Sequence, residues 1–340
     1  MKHCILALLA CSILTGSALA ADPPSVELHN KQLRLKVYTP DAKAGFYQGT
    51  RFDWSGVIGD LEFAGHHLYR PWFNAVDPSV RDFTYTDTGI TASANSAMVG
   101  PAEEFQKPIG YDTAKAGDTF LKVGVGILRK SDDAAYFFGK HFDLVDGGTW
   151  TTRSTANSVT FQQMLGKPGQ DYAYLYTKTI RLVGSEAKLT IEHSLKNLGK
   201  VPIVTPLYDH NFLTIDGLNV GRAYTILAPY EIKPTRAPDP KFAGVEGHTA
   251  SYHTDLQGQD RAAFGLQGFS SQVSDYDFQV KNASAHLAVR MQGDRPLSNA
   301  SVWSIRSVLA VEPFIDVSAQ PGEEFRWSYT YTYSTLEAQP

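Results

Sequence analysis

Apolar and polar side chains alternate with a period of two through much of this sequence, which commits the chain to strands. Leu33, Leu35 and Val37 are interleaved with Arg34, Lys36 and Tyr38. Leu189, Ile191, His193 and Leu195 alternate with Thr190, Glu192 and Ser194. Near the end Phe325, Trp327, Tyr329, Tyr331 and Tyr333 face one way, against Arg326, Ser328, Thr330 and Thr332. Successive side chains of a strand point to opposite faces, so each run offers one face to a core and one to another environment. Phe120 to Leu128 reads the same way, with Val123, Val125 and Ile127 on one side and Gly124 and Gly126 on the other. Turn chemistry separates the runs at Asp146-Gly147-Gly148, Asn197-Leu198-Gly199, Asp216-Gly217 and Pro321-Gly322. No amphipathic helix of ordinary length stands out. No Gly-, Ser- or Pro-rich linker divides residues 21–340, and no repeat has solenoid or propeller spacing. The expectation is one large all-β domain, a sandwich or barrel.

A chain that is 43% hydrophobic and 12% aromatic, with 19% charged residues, has the composition of a packed domain rather than a disordered one. Its net charge of −4 argues against nucleic acid as a partner, because phosphate neutralisation needs clustered Lys and Arg. Lys2 and His3 precede the apolar stretch Cys4 to Leu14, and small residues then lead to Ala18-Leu19-Ala20. That pattern reads as a secretory signal over residues 1–20, cleaved before Ala21, and implies a periplasmic or secreted protein. Leu8-Leu9-Ala10-Cys11 also admits a lipobox reading, with Cys11 acylated, although its apolar region would be very short. Both cysteines fall in this leader, so the mature chain would carry neither disulfide nor thiol. No later stretch reaches the ~18 apolar residues of a membrane-spanning helix. No P-loop, dinucleotide-binding glycine motif, H-E-x-x-H or G-x-S-x-G is present, so neither cofactor nor metal is expected.

The segment Leu189 to Ile203 (LTIEHSLKNLGKVPI), continuing to Tyr208-Asp209-His210-Asn211-Phe212, resembles the galactose mutarotase-like proteins, the aldose 1-epimerases and hexose-6-phosphate mutarotases. Val311-Glu312-Pro313 and the later Gln320-Pro321-Gly322-Glu323 are similar to that family's catalytic Glu strand and the turn beyond it. The resemblance covers roughly residues 185–215 and 305–335. It implies a large antiparallel β-supersandwich with a mono- or oligosaccharide site on its concave face. It also implies sugar mutarotation, with Glu312 as general base and His210 as general acid, the two facing each other across one sugar ring. The family's N-terminal His-Gly motif has no counterpart between Gly100 and Gly126. A non-catalytic carbohydrate-binding protein, or a polysaccharide lyase or hydrolase on the same fold, are the competing readings.

The residues themselves support both functional and structural roles. Glu312 lies in the apolar run Val308 to Ile315, where lost solvation would raise its basicity; it also reads as a strand-end Glu paired with a surface Lys. His210 fits a proton donor or a core histidine satisfied by a carbonyl. Arg51, Asp53 and Trp54 fit a sugar subsite, with the indole stacking on a ring, or an internal Arg51–Asp53 ion pair with Trp54 as core filling. The adjacent Glu103 and Glu104 read as a paired-carboxylate candidate for glycosidase work, but they diverge on a strand, whereas such a pair comes from separate segments; a structural role or a contact of Glu104 with sugar are the readings left. His66-His67 diverge likewise, which weakens a metal reading.

Overall fold

The computed structural model describes residues 22–87 and 89–337. The leader expected over residues 1–20, with Cys4 and Cys11, lies outside them.

Two antiparallel sheets dominate. The larger has ten strands, in the order Thr149–Ser154, Ser158–Leu165, Tyr174–Leu182, Lys188–Asn197, Glu324–Thr335, Leu287–Gly293, Asp277–Asn282, Tyr224–Leu227, Thr249–Tyr252 and Ala243–Glu246. The second has five: Arg261–Gly265, Asn299–Ile305, Val308–Ala319, Ile203–Leu213 and Gly100–Phe105. Smaller sheets flank them, and among the described residues the only helix is the 3-10 turn Val273–Asp275. No helix among these residues is long and apolar enough to cross a membrane.

The alternation translates directly into burial. Leu33, Leu35 and Val37 are buried while their neighbours are not, and Trp327, Tyr329, Tyr331 and Tyr333 form a buried row on the Glu324–Thr335 strand. That row faces the five-stranded sheet. Phe105 packs edge-on against Tyr176 and Trp327, with ring centroids 5.8 and 6.1 Å apart, so the sheets share one apolar core.

One expected strand is a hairpin instead. The run Phe120 to Leu128 breaks into Thr119–Lys122 and Gly126–Arg129, which pair with each other. Gly124 turns the chain at φ +77°, and a Cβ there would lie 2.8 Å from the Cβ of Asp53. Only glycine meets both demands.

Candidate active site

The outer face of the five-stranded sheet lines a cleft of about 600 Å³. Strand alternation decides which residues reach it. On Ile203–Leu213, Tyr208, His210 and Phe212 point into the cleft, whereas Asp209 and Asn211 meet Tyr331 of the larger sheet. On the neighbouring strand Glu104 faces the cleft, while Glu103 turns inward to Lys178. On the other side Glu312 and Phe314 complete the wall.

Register then brings His210 and Glu312 together. Tyr208 pairs with Phe314 and Asn211 with Val311, so His210 falls opposite Glu312. His210 Nε2 lies 3.1 Å from Glu312 Oε1. The two share one pocket, but the expected arrangement across a sugar ring is not found. They adjoin on a single wall, because cross-strand neighbours have Cβ atoms only about 4.5–5.5 Å apart.

Their surroundings set their chemistry. The His210 ring stacks on Phe212 at 3.7 Å and meets Phe52 and Trp303 edge-on. Burial holds its pKa well below the usual histidine value, with the positive charge of Arg51 acting in the same sense, so the imidazole is neutral at pH 7. Burial also pushes the Glu312 carboxyl above its ordinary range, against a 2.7 Å hydrogen bond from Ser301 Oγ and the charge of Arg51. Glu312 is thereby a stronger base than a solvated carboxylate.

A second cluster sits beside this pair. Arg51 donates from Nε to Glu104 at 2.7 Å and from Nη2 to the Tyr208 hydroxyl at 2.7 Å. Tyr208 in turn donates to Glu104, and Lys122 Nζ reaches the other carboxylate oxygen at 3.2 Å. Burial alone would raise the Glu104 carboxyl, but Lys122 and Arg51 together hold it below its ordinary value. The rings of Phe52 and Phe138 sandwich the guanidinium at 4.4 and 4.1 Å.

Asp53 and Trp54 do not join Arg51 in the cleft, which corrects the expected three-residue subsite. Asp53 is buried and accepts hydrogen bonds from Ser55 Oγ at 2.6 Å and Tyr176 at 2.9 Å. Trp54 is buried in an apolar cluster and donates to the Gly49 carbonyl at 2.7 Å. Arg51 and Asp53 do not pair either, because the segment is not a strand and bends between them. His66 and His67 diverge to separate carboxylates, Asp216 at 2.7 Å and Asp60 at 3.1 Å.

Sequence reasoning missed two features. The first is the aromatic wall of the cleft, including Trp72, Phe137, Phe138 and Trp303; the triplet Tyr136-Phe137-Phe138 in an otherwise polar stretch was its available signal. The second is a buried polar layer between the sheets. Glu103 accepts from Lys178 and lies 2.7 Å from His193 Nε2, while Lys178 also donates to the Ser55 carbonyl at 2.9 Å. The His193 ring stacks on Trp327 at 4.6 Å.

This layer gives stability two opposed pH dependences. Burial would raise the Glu103 carboxyl, but Lys178 and His193 outweigh it and hold it at about 2. Its contribution is therefore present above the ordinary carboxylate value and lost as pH falls toward about 2. Asp209 is pushed up to about 7, by burial first and the Glu103 charge second, so its folded form favours the proton. That contribution declines as pH rises from about 4 through about 7. The thermal midpoint is expected to peak at mildly acidic pH, and Asp209→Asn should flatten the fall toward neutrality. A midpoint in the wild type that climbs steadily from pH 4 to 8 would contradict this.

Comparison with solved structures matches this architecture. The chain superposes on the Slr1438 protein of Synechocystis sp. PCC 6803 with a TM-score of 0.53 and 14% identity, over 95% of this chain and 100% of that one. An Escherichia coli K12 protein with the provisional name aldose 1-epimerase gives a TM-score of 0.51 at 12% identity, over 92% of this chain and 99% of that one. The chain has the galactose mutarotase-like fold. No protein-family model matches the sequence, and no curated protein does. In this mutarotase-like fold the cleft lies on the five-stranded sheet, and His210, Glu312, Arg51 and Glu104 line it.

Proposed function

We propose that the protein is an aldose 1-epimerase-like mutarotase, interconverting the α and β anomers of a sugar by general acid–base ring opening. The observation that carries this reading is the 3.1 Å approach of His210 to Glu312 on the wall of the cleft. The anomeric hydroxyl and the ring oxygen of an aldose are bonded to the same carbon. Two side chains standing side by side can therefore serve both, without lying on opposite sides of the ring.

Glu312 takes the hydroxyl proton as the bond from C1 to the ring oxygen breaks, leaving C1 as an aldehyde. His210 gives its N–H proton to the departing ring oxygen, and the proton collected by Glu312 replaces it across the short contact. Rotation about C1–C2 and closure from the other face, with proton roles exchanged, deliver the second anomer. Because the imidazole is neutral, the two groups must pass a proton between them.

Polarimetry of freshly dissolved α-glucose and α-galactose tests the proposal: the protein should speed the approach to equilibrium for at least one aldose. Sugar binding without acceleration would favour the non-catalytic binding reading, and cleavage of a polysaccharide would favour the lyase or hydrolase reading. Arg51→Ala is expected to weaken sugar binding by about 1.5–3 kcal/mol, the worth of a charged hydrogen bond. It should also lower the thermal midpoint, because Glu104 then keeps only Lys122 as a cationic partner. Unchanged binding in calorimetry would remove Arg51 from the sugar site. Export belongs to the same proposal. An N-terminus at Ala21 supports it, and a lipid-modified Cys11 would replace the soluble form with a lipoprotein.

A further inference from the structure

The cleft holds more positive charge than the acid–base pair and Glu104 account for. Arg236 and Arg261 both line it, and among the described residues neither forms an ion pair. They stand at opposite ends of one edge strand. Arg261 begins the edge strand Arg261–Gly265, and the N–H of Gly265 donates to the Arg236 carbonyl at 2.9 Å. Gln267 stiffens the junction, accepting from the Thr235 N–H at 2.9 Å and donating to Asn299 Oδ1 at 2.8 Å. Arg236 is also near enough for its charge to act on the Glu312 carboxyl.

Deeper in the cleft Glu104 already answers to two cations, Arg51 and Lys122, which leaves one positive charge over. That excess with Arg236 and Arg261 makes three positive charges, against two negative ones on Glu312 and Asp82. We propose that the cleft takes a sugar bearing one carboxylate, a hexuronic acid or a saccharide ending in one, with that carboxylate held by Arg236 and Arg261. The placement of the ring rests on the mutarotase reading; the recognition of the anion does not. A guanidinium fork matches a carboxylate in bidentate geometry. The single surplus charge suits a monoanion. A phosphate ester would bring a second negative charge that opposes ionisation of Glu312.

Calorimetric titration of the intact protein with galacturonate, galactose and galactose 6-phosphate tests this at low salt. Galacturonate is expected to bind about tenfold or more tighter than galactose, from charge-assisted hydrogen bonds. That preference should shrink as salt is raised, and Arg236→Gln combined with Arg261→Gln should remove most of it. Both side chains are exposed, and a thermal melt confirms that the double variant is folded. Equal affinity for galacturonate and galactose, or a preference that survives the double variant, would overturn the proposal. Tighter binding of galactose 6-phosphate than of galacturonate would overturn its restriction to a carboxylate. Polarimetry separates the two readings. Galacturonate that binds preferentially without faster mutarotation refutes the enzyme and leaves the anion site standing, whereas accelerated galactose mutarotation without any uronate preference does the reverse.

Discussion

Glu312→Gln is expected to cut the rate of aldose mutarotation by about 10²–10⁴, the usual worth of a positioned general acid or base. The amide keeps the shape of the side chain and can still accept the Ser301 hydroxyl hydrogen bond, but it cannot take a proton. Sugar affinity should change little. The carboxyl is raised above its ordinary range, so its ionised form costs the fold stability at neutral pH. The Gln variant should therefore melt at the same temperature as the wild type or higher, and a lost rate with an unlowered midpoint separates chemistry from misfolding. His210→Asn should do comparable damage. The double variant should lose less than the sum, because two residues passing one proton fail as a unit. Full activity in Glu312→Gln would refute the assignment.

The largest effect on stability is expected at Glu103. This carboxylate and Lys178 are buried between the sheets, and removing one leaves the other charged and poorly compensated. Glu103→Ala should cost about 3–5 kcal/mol in urea unfolding, as breaking a buried ion pair usually does. Lys178 would keep the Ser55 carbonyl and Asp53 at 3.5 Å, which places the loss toward the lower end of that range. Replacing both by apolar residues, Glu103→Leu with Lys178→Met, should recover much of the loss, since hydrophobic substitutes for a buried pair are often neutral. If the double variant is as unstable as Glu103→Ala, hydrogen bonding to the rest of the layer matters more than charge pairing.

Strands were legible in this sequence because one face of each is buried, and burial writes a period of two. The aromatic row from Phe325 to Tyr333 is the clearest case. His210 and Glu312 were singled out by the resemblance of their segments to the mutarotase-like proteins; their setting in apolar strands alone fits a core histidine and a strand-end glutamate as well. Pairings between distant segments were not legible. Nothing near Arg51 points to Glu104 rather than Asp53 as its partner; sheet topology decides it. The hairpin at Gly124 was hidden for a related reason. Two glycines inside an apolar run read as strand until the close approach of Asp53 is known.

The opposition of His210 and Glu312 arises from the pairing of two strands about a hundred residues apart in sequence. A slip of one residue between those strands would turn one of the pair away from the cleft while leaving most backbone hydrogen bonds available. On the proposed mechanism, turnover would double as a register gauge. During refolding, recovery of turnover would time the correct long-range zippering of these two strands, whereas far-UV circular dichroism would count any β-structure, correctly aligned or not. A lag between the two signals would measure how long the chain spends correcting misaligned sheets.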